Sequence, residues 1–212
     1  MKRSGVCRWV GSGICGAVIG WSSIGLRAAE PGAYFNFDAG VNLVQDLNAT
    51  FTIPGLGSAD ADFEFDPGFR FGLEGGYRFT EMLGVGLETG FIFNEVKSIA
   101  GTDIEDVRLM HVPILANVVF RFENSSPVIP FVGAGAGGMF SIFDVDTDSD
   151  TDVVLAWQGV AGLQFKLSDT MAAGVTYKYL GINSPEFEAE GVFVEADTIH
   201  NHSILASLHW SF

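Results

Sequence analysis

Ser203-Ile204-Leu205-Ala206-Ser207-Leu208-His209-Trp210-Ser211-Phe212 is the stretch on which the reading of this chain turns. Ile204, Ala206, Leu208, Trp210 and Phe212 share one parity, while Ser203, Leu205, Ser207, His209 and Ser211 share the other. A repeat of two is the signature of a β-strand. Chain termini usually fray in water, so a final apolar aromatic needs a surface that receives it. A strand that crosses a bilayer takes about 9–11 residues, apolar outward and polar inward, with aromatics near the interfaces. The segment meets each condition, and lipid is expected against its apolar face.

Seven earlier stretches carry the same alternation: residues 33–43, 68–79, 84–94, 107–122, 128–140, 154–167 and 171–182. Phe69, Phe71, Leu73, Tyr77 and Phe79, for example, oppose Arg70, Gly72, Glu74, Gly76 and Arg78. Residues 128–140 are the exception, because interleaved Gly and Ala make both faces small and leave the lipid side unassigned. Glycines turned inward there would make room for large side chains from other strands. Pro113 is a local cost, since it withdraws one donor from a ladder.

Long polar connections (44–67, 95–106, 141–153 and 183–199) alternate strictly with short turns at 80–83, 123–127 and 168–170. That pattern predicts an all-β protein, an eight-stranded antiparallel up-and-down transmembrane barrel with both ends on the short-turn side. A soluble lipocalin-like barrel would place apolar residues inside and charges outside. Here Arg70, Glu74, Arg78, Glu88, Arg121, Lys166 and Lys178 lie opposite the aromatics, which fits lipid outside and a wet or paired interior.

Residues 1–28 read as a signal peptide and 29–212 as the barrel domain. Lys2, Arg3 and Arg8 precede an apolar Gly- and Ser-containing stretch that ends at Ala28-Ala29. An uncleaved anchor is the alternative, because Leu26 or Arg27 would occupy the third position before the cut. Cys7 and Cys15 both lie in this leader, so the mature chain is expected to have neither disulfide nor thiol chemistry. Loss of the leader removes four bases and no acid, taking the net charge from -15 to -19. Such a surface is a poor partner for nucleic acid.

The strands also resemble a family, the small eight-stranded outer-membrane β-barrels of the OmpA, OmpX and opacity-protein type. Val112-Pro113-Ile114-Leu115-Ala116-Asn117-Val118-Val119-Phe120-Arg121-Phe122 is similar to the V-P-x-x-x-N-x-x-Y-R-F strand of these proteins, with Phe120 in place of Tyr. Pro130-Phe131-Val132-Gly133-Ala134-Gly135-Ala136-Gly137 resembles their P-Y-x-G-x-G-x-G strand. Ala156-Trp157-Gln158 with Ala161-Gly162 is similar to their sixth strand. The resemblance implies export through the periplasm to a Gram-negative type outer membrane. It also implies that Trp210 and terminal Phe212 serve as the signal read by the barrel assembly machinery. The family mixes pores, adhesins, anchors and a few enzymes on one scaffold, so function must come from the site. With the last strand at the chain end, the peptidoglycan-binding domain of some relatives is expected to be absent.

Three constellations are candidates for chemistry. By alternation the lumen holds Asp38, Glu74 and Glu88 with Arg70, Arg78, Arg121, Lys166 and Lys178, and Asn36, Asn117, Gln158 and Gln164 stand among them. Eight strands leave a lumen that side chains can fill, so these groups are expected to pair and plug the barrel, or to line a narrow ion path. The long connections hold 19 of the 26 acids, an outer rim that concentrates cations. Within it Asp144, Asp146, Asp148, Asp150 and Asp152 would sit on one edge of an extended strand and could hold a divalent cation. An EF-hand is excluded by Ser149 and Leu155, where Gly and Glu are needed. The lipid A deacylases on such barrels use a His and a Ser two apart, but His202 and Ser203 are adjacent and point to opposite faces. His111 and His209 face inward, where a hydrogen-bonded structural role is expected.

The expectation is a non-enzymatic outer-membrane protein, without a cofactor, that acts structurally or on surface ligands through long acidic loops. A narrow cation-preferring porin is the alternative, and a lipid-modifying enzyme is third. Partners are outer-membrane lipid, the assembly machinery and a possible ligand at the loops. Phe63-Glu64-Phe65-Asp66 and residues 187–194 alternate apolar and acidic residues and could extend strands above the membrane.

Overall fold

The computed structural model describes residues 31–53, 57–99, 101–103, 107–145, 148–184, 186–189, 192–196 and 198–212. The expected signal peptide lies outside them. Thirteen strands run β1 (Gly32–Val44), β2 (Leu47–Ile53), β3 (Gly57–Phe65), β4 (Gly68–Arg78), β5 (Leu83–Ile99), β6 (Thr102–Asp103), β7 (Val107–Arg121), β8 (Val128–Val145), β9 (Asp148–Lys166), β10 (Met171–Ile182), β11 (Glu186–Ala189), β12 (Val192–Ala196) and β13 (Ile199–Ser211). Eight of them close a barrel in the antiparallel order β1-β4-β5-β7-β8-β9-β10-β13, with β13 returning to β1 through pairs such as Phe35↔Trp210 and Val44↔Asn201. Closure satisfies every strand edge, a condition that a bilayer imposes because it offers backbone groups no water.

Each of the eight expected strands is present. The alternation sets their faces: Ile204, Leu155, Leu87 and Phe93 point outward and are well exposed, while Ser203, Leu205 and Ser207 of the last strand are buried. Outward rings pack across neighbouring strands, as in the edge-on contact of Phe37 and Phe71 (centroids 5.2 Å apart). These rings and aliphatic side chains form the belt that lipid covers. Among the described residues no helix is long and apolar enough to cross a membrane.

The strand at 128–140, whose faces the sequence left open, is resolved by its ends. Phe131, Met139 and Ser141 are buried, Val132 and Phe140 are exposed, and so Gly133, Gly135 and Gly137 point inward. A Cβ on Gly135 would meet the Asn117 carboxamide, so this glycine is space for a lumen side chain. At Pro113 the β5–β7 ladder passes from Thr89↔Ile114 to Ile92↔His111, while Pro113↔Met139 stays in register on the β8 side. The missing donor thus falls on one side of the strand only.

The long connections carry more strand than a loop reading gives, and the strand extension expected at 63–66 and within 187–194 is seen at 63–65, 187–189 and 192–194. Within 44–67 the described strands β2 and β3 pair with each other, and within 183–199 β11 pairs with β12. The two join through β12–β2, and β3 pairs with the extension of β5 beyond the barrel, giving the order β11-β12-β2-β3-β5. The connection expected at 141–153 is mostly ladder as well, since β8 and β9 remain paired out to Val145↔Asp148. Strand pairing continues well past the membrane belt on this side.

Candidate functional site

The lumen is built from inward side chains of all eight barrel strands. At its centre Glu88 accepts hydrogen bonds from four donors: Arg70 Nη2 (3.0 Å) and Lys178 Nζ (2.6 Å) at Oε1, Asn117 Nδ2 (2.9 Å) and Gln158 Nε2 (2.6 Å) at Oε2. Lys178 also donates to Asp38 Oδ2 (2.9 Å), and Arg70 to Gln158 Oε1 (2.9 Å). Glu74 pairs with no cation in this cluster and instead accepts from Tyr34 Oη (2.7 Å) and Asn117 Nδ2 (2.5 Å). All of these groups are buried. Charges removed from water this completely persist only when paired and hydrogen-bonded, and the shared carboxylate of Glu88 locks five strands together.

Toward the short turns Arg78 donates to Ser211 Oγ (2.9 Å) and lies 3.2 Å from His209 Nε2. Arg121 (3.6 Å) and Lys166 (2.8 Å) converge on Glu123. The sequence pattern places Glu123 in the short turn 123–127, yet it reaches into this end of the lumen. The signal was available: Glu123 follows Arg121 by two residues and keeps its parity. Every residue of the expected charge network, Asp38, Arg70, Glu74, Arg78, Glu88, Arg121, Lys166 and Lys178, faces the lumen. Arg78 and Glu74 stand apart from the others in lacking an ion-pair partner of opposite charge among the described residues.

Toward the long connections the lumen changes character. Asn42 donates to Asn94 Oδ1 (2.7 Å) and Asn201 Oδ1 (2.8 Å) and accepts from Ser203 Oγ (2.7 Å). Around and above this amide cluster lie Ile92, Leu109, Leu115, Met139, Leu180, Ile182 and Ile199, packed in one cluster with Leu47, Ala49 and Phe63 of the β2–β3 hairpin. The hairpin therefore caps the barrel with an apolar layer. The expected polar-in, apolar-out rule misses this layer because Ile92, Leu180 and Ile182 sit on the inner parity. His111, also on that parity, is buried with Nδ1 3.0 Å from Ser141 Oγ.

The outer acids fall differently from expectation. Asp144 lies on β8 opposite Ser149, whereas Asp148 and Asp150 lie on β9 opposite Val145 and Phe143. The run is thus divided between the two arms of a hairpin, not spread along one strand edge, because the chain reverses within it. Asp146 lies outside the described residues. Asp152 accepts from the Val153 backbone N–H (2.7 Å). On β3, Asp60 accepts from Thr50 Oγ1 (2.9 Å) and Glu64 pairs with Lys97 (3.2 Å).

His202 and Ser203 point to opposite faces, as their adjacency requires. His202 lies on the outer face 2.7 Å from Tyr177 Oη, while Ser203 is fully buried in the lumen. Trp210 is half-buried on the outer face, and Phe212 at the barrel's lower rim is 80% exposed.

A closed eight-stranded antiparallel barrel with an apolar belt and a charged, side-chain-filled interior defines a transmembrane β-barrel protein. The chain belongs to the outer membrane protein beta-barrel domain family, whose profile matches residues 19–212. Its localisation is accordingly the outer membrane. Among solved structures it is similar to OprG of Pseudomonas aeruginosa (15% identity over 87% of this chain and 99% of that one, TM-score 0.64). It is also similar to Neisserial surface protein A (18% identity, 85% and 97%, TM-score 0.56). At these identities the likeness is one of fold. No curated protein matches the chain in sequence.

Proposed function

We propose that this protein is a plugged, non-enzymatic outer-membrane barrel that acts outward, as a structural or surface-interaction protein, through the sheet its long connections form. The observation that carries the reading is the apolar layer made by Leu47, Ala49 and Phe63 over Ile92, Leu109, Leu180 and Ile182, which closes the lumen beneath a sheet standing above the barrel. Ions cross apolar, side-chain-filled constrictions poorly, so the effort spent in building strands β2, β3, β11 and β12 is read as serving a surface. Strand β11 ends the hydrogen-bonded order β11-β12-β2-β3-β5 and lies close to the outer part of β9. Asp60, Asp62 and Glu64 of β3 are exposed and would favour a basic or cation-bearing ligand.

The chain reaches this site by export through the periplasm and is recognised by the assembly machinery through Trp210 and Phe212. A divalent cation held at the β8–β9 tip belongs to the same reading, and calorimetry with Asp144, Asp148, Asp150 and Asp152 changed to Asn tests it by loss of calcium heat. The surface role is tested by capture of host or envelope components with the wild-type protein and with the β2–β3 and β11–β12 hairpins replaced by short linkers. Binding that depends on the hairpins supports the reading, and capture indifferent to their removal refutes it.

A further inference from the structure

Charge at the short-turn end of the lumen does not balance. We propose that a single small anion, of chloride to small-carboxylate size, occupies the cavity between Arg78 and Arg121. Arg78 is 2% exposed, and its contacts are the uncharged acceptors Ser211 Oγ and His209 Nε2. Among the described residues no carboxylate lies within ion-pair distance of it. Arg121, 7% exposed, meets Glu123 only at 3.6 Å, and its Nε has no partner. The nearer claim on Glu123 is that of Lys166, at 2.8 Å.

Both guanidiniums line one cavity of about 40 Å³, together with Asn36, Glu74, Gln164 and Thr176. By the space one water needs, that volume takes about three water-sized groups. The carboxylate facing it, Glu74, is held by Tyr34 and Asn117. Lys178, which also borders the cavity, is committed to Asp38 and Glu88. A buried guanidinium without a counter-charge is strongly disfavoured, and two of them on one small cavity, whose other walls include the apolar Val119, Phe131 and Val160, form a receptor for negative charge. Gln164 borders the same cavity, and its carboxamide NH2 is available to the anion as a third donor.

The test uses the protein extracted from outer membranes in detergent and unfolded by heat at constant ionic strength, in chloride or in the larger gluconate. The midpoint is expected to rise with the logarithm of chloride concentration and to stay flat in gluconate, the linkage of one bound ion. Arg78→Gln, which removes the guanidinium, is expected to abolish the difference, while the exposed Arg108→Gln leaves it intact. Crystals grown in bromide should show an anomalous peak against the Arg78 and Arg121 guanidiniums. Equal midpoints in the two salts, or a chloride effect undiminished in Arg78→Gln, would overturn the assignment. If Arg78→Gln does not fold, the native bromide map decides alone, and an empty cavity refutes the site.

Discussion

Glu88→Gln isolates what the lumen network contributes, because it changes one charge and almost no volume. All four partners of Glu88 are donors, two at each oxygen. A glutamine there must turn its NH2 either against Arg70 and Lys178 or against Asn117 and Gln158, so at least two good hydrogen bonds become donor–donor contacts. Rotating the neighbouring amides gives no relief, since Gln158 Oε1 already accepts from Arg70 and Asn117 Oδ1 from Gln158 (2.8 Å). The substitution also leaves Arg70 and Lys178, both buried, with only Asp38 between them. Breaking a buried ion pair from one side costs about 3–5 kcal/mol, and that is the expected loss. Urea unfolding of the barrel in lipid vesicles, followed by the fluorescence of Trp157 and Trp210, measures it. Replacing the ionic cluster as a unit (Arg70→Met, Glu88→Leu, Lys178→Met) should recover most of the loss, since no buried charge is then stranded. A single Glu88→Gln variant within about 1 kcal/mol of wild type, the range of an exposed pair, would refute the claim that this cluster is dry and interlocked.

Other expectations follow from the same packing. Gly76→Ala places a methyl against the Tyr34 ring and the Val85 carbonyl and should lose about 1–3 kcal/mol as overpacking, whereas Gly75→Ala, with open space before it, should be nearly silent in the same titration. Phe212→Ser should leave the folded barrel's urea midpoint almost unchanged, because the ring is exposed and the backbone bond from Phe212 N–H to Ala33 O (2.9 Å) survives, while lowering the amount assembled in cells. Lys97→Gln, at an exposed pair with Glu64, should change stability by less than about 1 kcal/mol, and a larger loss would mean the outer sheet depends on that contact.

The barrel was legible because lipid forces a simple rule on most of each strand. Residues such as Phe35, Phe37, Val41 and Leu43 against Tyr34, Asp38 and Asn42 can be sorted by parity alone, and the structure keeps that sorting. The same rule hides what is apolar on both faces. Ile92, Leu180, Ile182 and Ile199 form the closing layer on the inner parity, where the neighbouring Glu88, Asn94 and Lys178 lead one to expect a polar residue. The network's membership was readable from parity, but its pairing was not. That Glu88, not Asp38, is the hub depends on strand stagger, which places Lys178 and Arg70 at Glu88 from across the barrel. Of the outer strands, β2 and the first part of β3 read as loop because they are short and polar, whereas residues 63–65 of β3 and residues 187–194 already show alternation of apolar and acidic residues. All four become strands by pairing with one another, through contacts such as Ala49↔Ala61 and Ala196↔Ala49, between segments distant in sequence.

Conductance in a planar bilayer tests the central claim most directly. The protein, shown to be folded by a heat-dependent gel shift, is expected to give no steady current, because Glu88 and its partners fill the centre and the Leu47–Phe63 layer closes the outer end. Steady cation-selective steps from the folded protein, altered by replacing Glu74 or Arg78, would contradict it and make the lumen a pore.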